Sequence, residues 1–247
     1  MKRMKRAVVC FDLGGTLVDL REMVDCIASS IQARFPRSAA DAADLAFRWA
    51  VKTAEALPQA QGPYFRPERI IAARVFREVL SSAELEVSDE EARRTVLAAW
   101  SAFVEGASLC QDVTDAWWDQ MHASAQRIAL VTDIDEEAAA GLLDRLRLRP
   151  HFDAVILSET ERAYKPDPAL YRRAVEAVGA ESKRCLFVSD SPVDLIGAKE
   201  EGMPTALIQR SLRVSSLAPP SDSLLLKTLN ELPAILVSYE RTGRYRP

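Results

Sequence analysis

Residues that usually build a metal or redox centre are scarce in this chain. There are two histidines, His122 and His151, too few for a histidine-ligated metal site. The four cysteines, Cys10, Cys26, Cys110 and Cys185, lie far apart, with no pair at metal-ligand or redox-motif spacing. Cys10 and Cys185 fall inside apolar runs and read as small buried hydrophobes. No charge-free apolar run reaches the roughly 18 residues of a membrane span. The net charge of −4 provides no broad basic surface for nucleic acid. Met1–Arg6 has the basic character of a signal-peptide start, but the apolar segment after it is short and Asp12 interrupts it. A cytoplasmic, reduced protein acting away from membranes and nucleic acid is therefore expected. The 247 residues are 48% hydrophobic and 28% charged, a globular composition that excludes disorder as the main state.

What is present is a rhythm of buried strands and helices. Ala7–Phe11 is a short apolar run ending at Asp12 and the Gly14-Gly15 pair. Arg127–Thr132, Phe152–Leu157, Arg184–Val188 and Thr205–Ile208 are similar runs, several closed by a polar residue. Helical spacing lies between them, over Glu136–Leu148 and Ala169–Val178. Non-alternating strands separated by helices predict an α/β fold with a parallel, Rossmann-like sheet of about five strands, covered on both faces. Residues 20–109 break the rhythm. Leu20–Phe35, Asp41–Leu57, Pro67–Leu80 and Ser88–Val104 all read as helices, the last opening on a hydroxyl cap followed by acids. An all-helical insertion after the first strand is expected. The core would be 1–19 plus 110–247. Gln209–Ser223 reads as irregular, Leu224–Tyr239 as a last helix and Arg241–Pro247 as a frayed tail.

In an open parallel sheet the strand ends converge on the ligand. That would gather Asp12, Gly14, Gly15 and Thr16; Thr132 and Asp133; Ser189, Asp190 and Asp194; and Lys165 from a Lys-Pro-x-Pro loop. Several carboxylates without histidine or thiolate favour Mg²⁺. A lysine, hydroxyls and free backbone N–H groups favour an anion such as phosphate. Trp117-Trp118, His122 and His151 read as packing or surface residues, and Arg48, Lys52, Tyr64 and Arg66 as a solvated face of the insertion. Gly14 is read as a position suited to positive φ.

These residues resemble the motifs of the haloacid dehalogenase (HAD) superfamily. Asp12–Leu17 is similar to its D-x-D-G-T-L, Thr132 to its second-motif hydroxyl, Lys165-Pro166 to its third motif and Ser189–Asp194 to its fourth. The resemblance spans about residues 7–210, and residues 20–109 sit where the family's C1 cap is inserted. It implies a Mg²⁺-dependent phosphatase of a small phosphorylated metabolite. Asp12 would be the nucleophile forming an aspartyl-phosphate, with Thr132 and Lys165 as catalytic partners. Asp12, Gly15, Thr132, Asp133 and Lys165 would surround the phosphate. Asp12, the Gly14 carbonyl, Asp190 and Asp194 would hold the metal, Asp194 either through waters or by orienting Lys165. Gly14 departs from the pattern, since the family's general acid/base Asp belongs there. The resemblance thus implies impaired or atypical proton transfer, which Gly14→Asp should improve. Two alternatives follow from Gly14: a catalytically retired module binding a phospho-ligand or protein, and a metal-independent 2-haloacid dehalogenase. Asp190 speaks against the latter, because that branch carries Ser there. The sequence leaves oligomeric state open.

Overall fold

The structure, a computed structural model, describes residues 7–36, 38–210 and 217–245. The expected arm at 1–6, positions 211–216 of the expected irregular segment and the last two residues of the expected tail lie outside them.

Six strands form one parallel sheet: β1 (Val8–Phe11), β2 (Arg127–Thr132), β3 (Ala154–Leu157), β4 (Cys185–Ser189), β5 (Thr205–Ile208) and β6 (Leu224–Leu226). Their order is β3-β2-β1-β4-β5-β6, with every neighbouring pair parallel. The sheet has one strand more than expected. The segment read as the start of a last helix instead pairs with β5 through Ala206, Leu207 and Ile208. Three consecutive leucines have strong helix propensity and no alternation, so local pattern does not reveal this strand. The helix begins later, at Leu232, with Pro233 in its first turn.

Ten α-helices lie among the described residues. Four fill the insertion: α1 (Arg21–Arg34), α2 (Ala42–Ala56), α3 (Glu68–Ser81) and α4 (Asp89–Gly106). Asp41 caps α2 through Ala43 N and Asp44 N, and Ser88 and Glu91 form a reciprocal capping box on α4. The other six are α5 (Asp115–Ser124), α6 (Glu136–Arg145), α7 (Ser158–Glu161), α8 (Pro168–Ala177), α9 (Pro192–Glu200) and α10 (Leu232–Thr242).

Successive β1 side chains face opposite layers. Val9 and Phe11 join an apolar cluster with α5, α6, α10 and the insertion, while Val8 and Cys10 join another with α8 and α9. Phe11 meets the edges of Trp117 and Trp118, and Trp117 Nε1 donates to the Leu229 carbonyl at 2.9 Å. This tryptophan pair is core. Trp118 in turn stacks on His151, whose ring pairs with His122 at 3.0 Å, so both histidines belong to a structural stack. All four cysteines are free thiols. No helix among the described residues is long and apolar enough to cross a membrane.

The strand order reverses at β1, which has β2 on one side and β4 on the other. That switch point opens a crevice beyond the carboxyl ends of these three strands. Asp12, Thr132 and Ser189-Asp190 stand there.

Candidate active site

Asp12 directly follows β1, and its N–H donates to Val188 O of β4 at 3.0 Å. The chain then folds back tightly: Leu17 N and Val18 N donate to Leu13 O, and Gly15 N donates to Val18 O at 2.8 Å. Gly15 has φ of +76°, and a Cβ on it would stand 2.3 Å from Asp190 Oδ2. Only glycine fits here, because the turn needs the left-handed region and lies against a carboxylate. Two expectations change. The Gly15 N–H is used inside the turn, so it is unavailable to a phosphate. The positive φ belongs to Gly15; Gly14 is not among the positive-φ residues.

Thr16, fully buried, ties the motifs together. Its hydroxyl lies 3.2 Å from Asp12 Oδ2 and 3.4 Å from Asp190 Oδ1, and it accepts from Asp190 N at 3.1 Å. Two carboxylates 178 positions apart in sequence thus share one hydroxyl.

Lys165 is the cationic centre. Its Nζ lies 2.5 Å from Asp12 Oδ1, 2.7 Å from Asp194 Oδ2 and 3.8 Å from Asp133 Oδ2. Its backbone N–H donates to Asp133 Oδ1 at 3.0 Å. The loop is held from behind by α9, where a Cβ on Gly197 would stand 2.7 Å from Pro166 Cβ. Asp194 is fixed by Ser189 Oγ, which donates to Oδ2 at 2.9 Å, and by Tyr171, whose hydroxyl donates to the Asp194 carbonyl at 2.9 Å. Asp194 Oδ2 therefore bonds both Lys165 and Ser189.

Burial works against the Lys165 charge, but Asp12, Asp194 and Asp133 together hold the ammonium well above its ordinary value. Burial lifts the Asp12 carboxyl, and Lys165 pulls it back. Burial also raises Asp133 to about 7. Asp190 goes up through burial and then through the neighbouring charges of Asp12 and Asp194. One lysine thus serves several carboxylates, and Asp190 forms no ion pair with it at salt-bridge distance.

This charge imbalance suits a divalent cation. No group of three or more His, Cys, Asp or Glu side chains that could hold a metal occurs among the described residues. Mg²⁺, however, is commonly held by one or two carboxylates, with water completing its shell. Asp12 and Asp190, joined through Thr16, are the carboxylates placed to act as such a pair, and the Gly14 carbonyl would be the neutral oxygen beside them.

These electrostatics predict a pH-dependent stability. A carboxyl whose folded pKa is raised binds its proton more tightly in the folded state. Its stabilising contribution is complete below the unfolded pKa and is lost as pH rises through the folded one. For Asp133 the window runs from 3.8 to about 7, and Asp12, Asp190 and Glu68 act with the same sign. In EDTA, Tm should fall between about pH 4 and pH 7. Mg²⁺ should raise Tm more at the upper end. A metal-free Tm that stays flat across this range in calorimetry would contradict the assignment.

The insertion closes over this floor to leave a cleft of about 950 Å³, lined by Asp12, Gly14, Thr132, Asp133, Lys165 and Asp190 below and by Leu57, Glu68 and Trp100 above. Asp135, following β2, accepts from Glu68 N at 2.7 Å and Arg69 N at 2.9 Å, and pairs with Arg69 Nη1 at 2.9 Å. Gln61 and the Tyr164 backbone exchange hydrogen bonds of 2.8 and 2.9 Å. The insertion is therefore tied to the loops that carry Asp133 and Lys165.

Arg48, Lys52, Tyr64 and Arg66 do not line the cleft. Arg48 bonds Ser82 Oγ, and Tyr64 is 76% exposed. Sequence reasoning assigned no role to Glu68, Asp135 or Tyr171. A Pro67-Glu68 helix start, followed further on by an Asp135-Glu136-Glu137 start, offered signals of capping only.

Fold and site together define a doubly wound α/β protein with an acidic crevice around one buried lysine at its topological switch point. A sequence profile described as "haloacid dehalogenase-like hydrolase" matches residues 7–202, and the chain belongs to that family of hydrolases. It is 27% identical over 231 residues to phosphoglycolate phosphatase 1 of Pseudomonas aeruginosa, covering 91% of this chain and 78% of that one. It is also 29% identical over 85 residues to the (S)-2-haloacid dehalogenase of Pseudomonas sp. strain YL, covering 34% of this chain and 37% of that one. Among solved structures, the L-2-haloacid dehalogenase of Xanthobacter autotrophicus aligns with a TM-score of 0.75 at 19% identity, over 94% of this chain and 98% of that one. The HAD-hydrolase YfnB of Bacillus subtilis, solved bound to magnesium, aligns with a TM-score of 0.75 at 15% identity, over 94% and 99%. At these identities the structural matches speak to fold alone.

Proposed function

We propose that this hydrolase is a Mg²⁺-dependent phosphatase of small phosphorylated metabolites, with residues 20–109 acting as a cap over the site. The observation that carries this reading is Asp190, a half-buried carboxylate tied to Asp12 through Thr16 and unpaired with Lys165. A dehalogenase needs only the Asp12 carboxylate and gains nothing from a second one beside it.

Asp12 attacks phosphorus along the line opposite the leaving oxygen and becomes an aspartyl-phosphate. Lys165 neutralises Asp12 and the transferring group, and Asp194 with Ser189 keeps its ammonium aimed. Thr132 hydrogen-bonds a phosphoryl oxygen. Mg²⁺, held by Asp12, the Gly14 carbonyl and Asp190, would screen the repulsion between nucleophile and phosphate. Water then releases phosphate and frees Asp12.

The test is phosphate release from a panel of phosphate esters and acetyl phosphate, with Mg²⁺ and with EDTA. Turnover on at least one ester, abolished by EDTA, is expected. Halide release from 2-haloacids in EDTA, without phosphate release from any ester, would replace this reading with the dehalogenase one.

A further inference from the structure

Aspartyl-phosphate chemistry needs a proton delivered to the leaving alkoxide and later removed from the attacking water. At Gly14 no side chain exists to carry it. A Cβ there would stand 3.2 and 3.3 Å from the two Leu20 methyl carbons, so an apolar side chain borders the place an acid would enter.

Across the cleft stands Glu68, the first residue of α3. Its backbone is pinned by Asp135, which takes its N–H and that of Arg69, while Arg69 Nη1 also reaches Glu159 Oε1 at 3.0 Å. The residue lines the same cleft as Asp12, Asp133 and Lys165. The residue is half-buried, but Oε2 is fully buried and has no hydrogen-bond partner. An ionised oxygen in that situation is costly, and a protonated one is far less so. Burial, then Asp135 and Asp133, push this carboxyl well above its ordinary value, with Lys165 pulling the other way. The result is a carboxyl biased toward its protonated form, with a buried oxygen committed to nothing else. Asp133, the nearer alternative, turns both oxygens toward Lys165, at 3.0 Å from its N and 3.8 Å from its Nζ.

We propose that Glu68 is the proton carrier of this site, reaching in from the insertion to replace the carboxyl absent at position 14. The proposal rests on the phosphatase reading above. In the first half-reaction the bond from Asp12 Oδ to phosphorus forms and the ester P–O bond breaks. Glu68 gives its proton to the departing alkoxide, leaving an alcohol and a Glu68 carboxylate. In the second, that carboxylate takes a proton from water as the water oxygen attacks phosphorus. The Asp12–phosphorus bond breaks, phosphate leaves, and Glu68 is protonated again.

The experiment compares Glu68→Gln with wild type, as the full chain with Mg²⁺, on an alkyl phosphate and on p-nitrophenyl phosphate, whose leaving group needs no proton. On the alkyl ester kcat should fall by about 10²–10⁴-fold. On the nitrophenyl ester the first step survives and the second slows. A burst approaching one nitrophenolate per chain should then appear, with phosphoryl-Asp12 trapped on acid quench. Wild-type activity should decline as pH rises through the Glu68 pKa, and the variant should lose that limb. The groups around Glu68 that set this limb are Asp133 and Asp135 after β2, Tyr164 and Lys165 after α7, Glu159 on α7 and Arg69 on its own helix.

An equal loss on both esters with no burst, or no loss at all, overturns the proposal. If Asp133→Asn alone shows the burst, the role passes to Asp133. Glu68→Asp should keep partial activity on the alkyl ester, and a melting curve matching wild type separates these effects from misfolding. A wild type that turns over no phosphate beyond an Asp12→Asn control defeats the phosphatase reading itself. That outcome differs from an active wild type with an indifferent Glu68→Gln.

Discussion

Asp12→Asn is expected to reduce phosphate release by about 10⁵-fold or more, the scale on which removing a covalent nucleophile acts, while the protein stays folded. The amide matches the carboxylate in shape but cannot attack phosphorus. The same change should not lower Tm. Asp12 is buried beside Asp194 and Asp190, and burial raises its pKa, so its ionised form is less favoured in the fold than in the unfolded chain. A neutral amide avoids that burial cost and keeps an oxygen for the Lys165 ammonium. Lys165 retains Asp194 at 2.7 Å in any case. Metal affinity should drop as well, because one of two carboxylate ligands is gone, and the Mg²⁺-dependent rise in Tm should shrink with it. Activity within tenfold of wild type would show that Asp12 is not the nucleophile, and the mechanism would lose its covalent step.

Much of this was legible in the sequence because the informative residues are strand-end residues. A short apolar run that stops at Asp12, Thr132 or Asp190 announces both the buried strand and the polar group at its end. Parallel packing then forces those ends together, so fold and floor of the site came from one pattern. Lys165 was legible for the related reason that a loop between strand and helix has only the crevice to face. The cap side was opaque. Glu68 sits one residue after Pro67, where an acid ordinarily signals a helix N-terminus and its dipole. Nothing local says that Asp135, 67 positions on, takes over that helix end and leaves the glutamate carboxyl to the cleft. Gly15 was misread because a glycine's backbone N–H looks free until the turn is seen to use it. β6 was missed because three leucines paired to a neighbouring strand carry no periodicity of their own. For Glu68 and β6 the missing information was a contact between distant segments; for Gly15 it was the local turn bond to Val18.

The second large effect is a transplant of the proton carrier. In the Glu68→Gln background, adding Gly14→Asp together with Leu20→Ala should recover about 10²–10⁴-fold in kcat on an alkyl phosphate, returning it toward wild type. Gly14→Asp alone should recover less. A Cβ at position 14 meets Leu20 carbons at 3.2 and 3.3 Å, so the new side chain must displace a leucine that also packs against the apolar core. Leu20→Ala removes that obstruction. It costs little else, since Leu20 is half-buried and its role at the start of α1 includes no side-chain cap. In the wild-type background the same pair of substitutions should change kcat by less than about tenfold, because one proton carrier already serves the step. The contrast between backgrounds is the decisive measurement. A non-additive gain confined to Glu68→Gln means that positions 14 and 68 supply the same proton from opposite walls of one cleft. An equal gain in both backgrounds would mean that Glu68 was never carrying it.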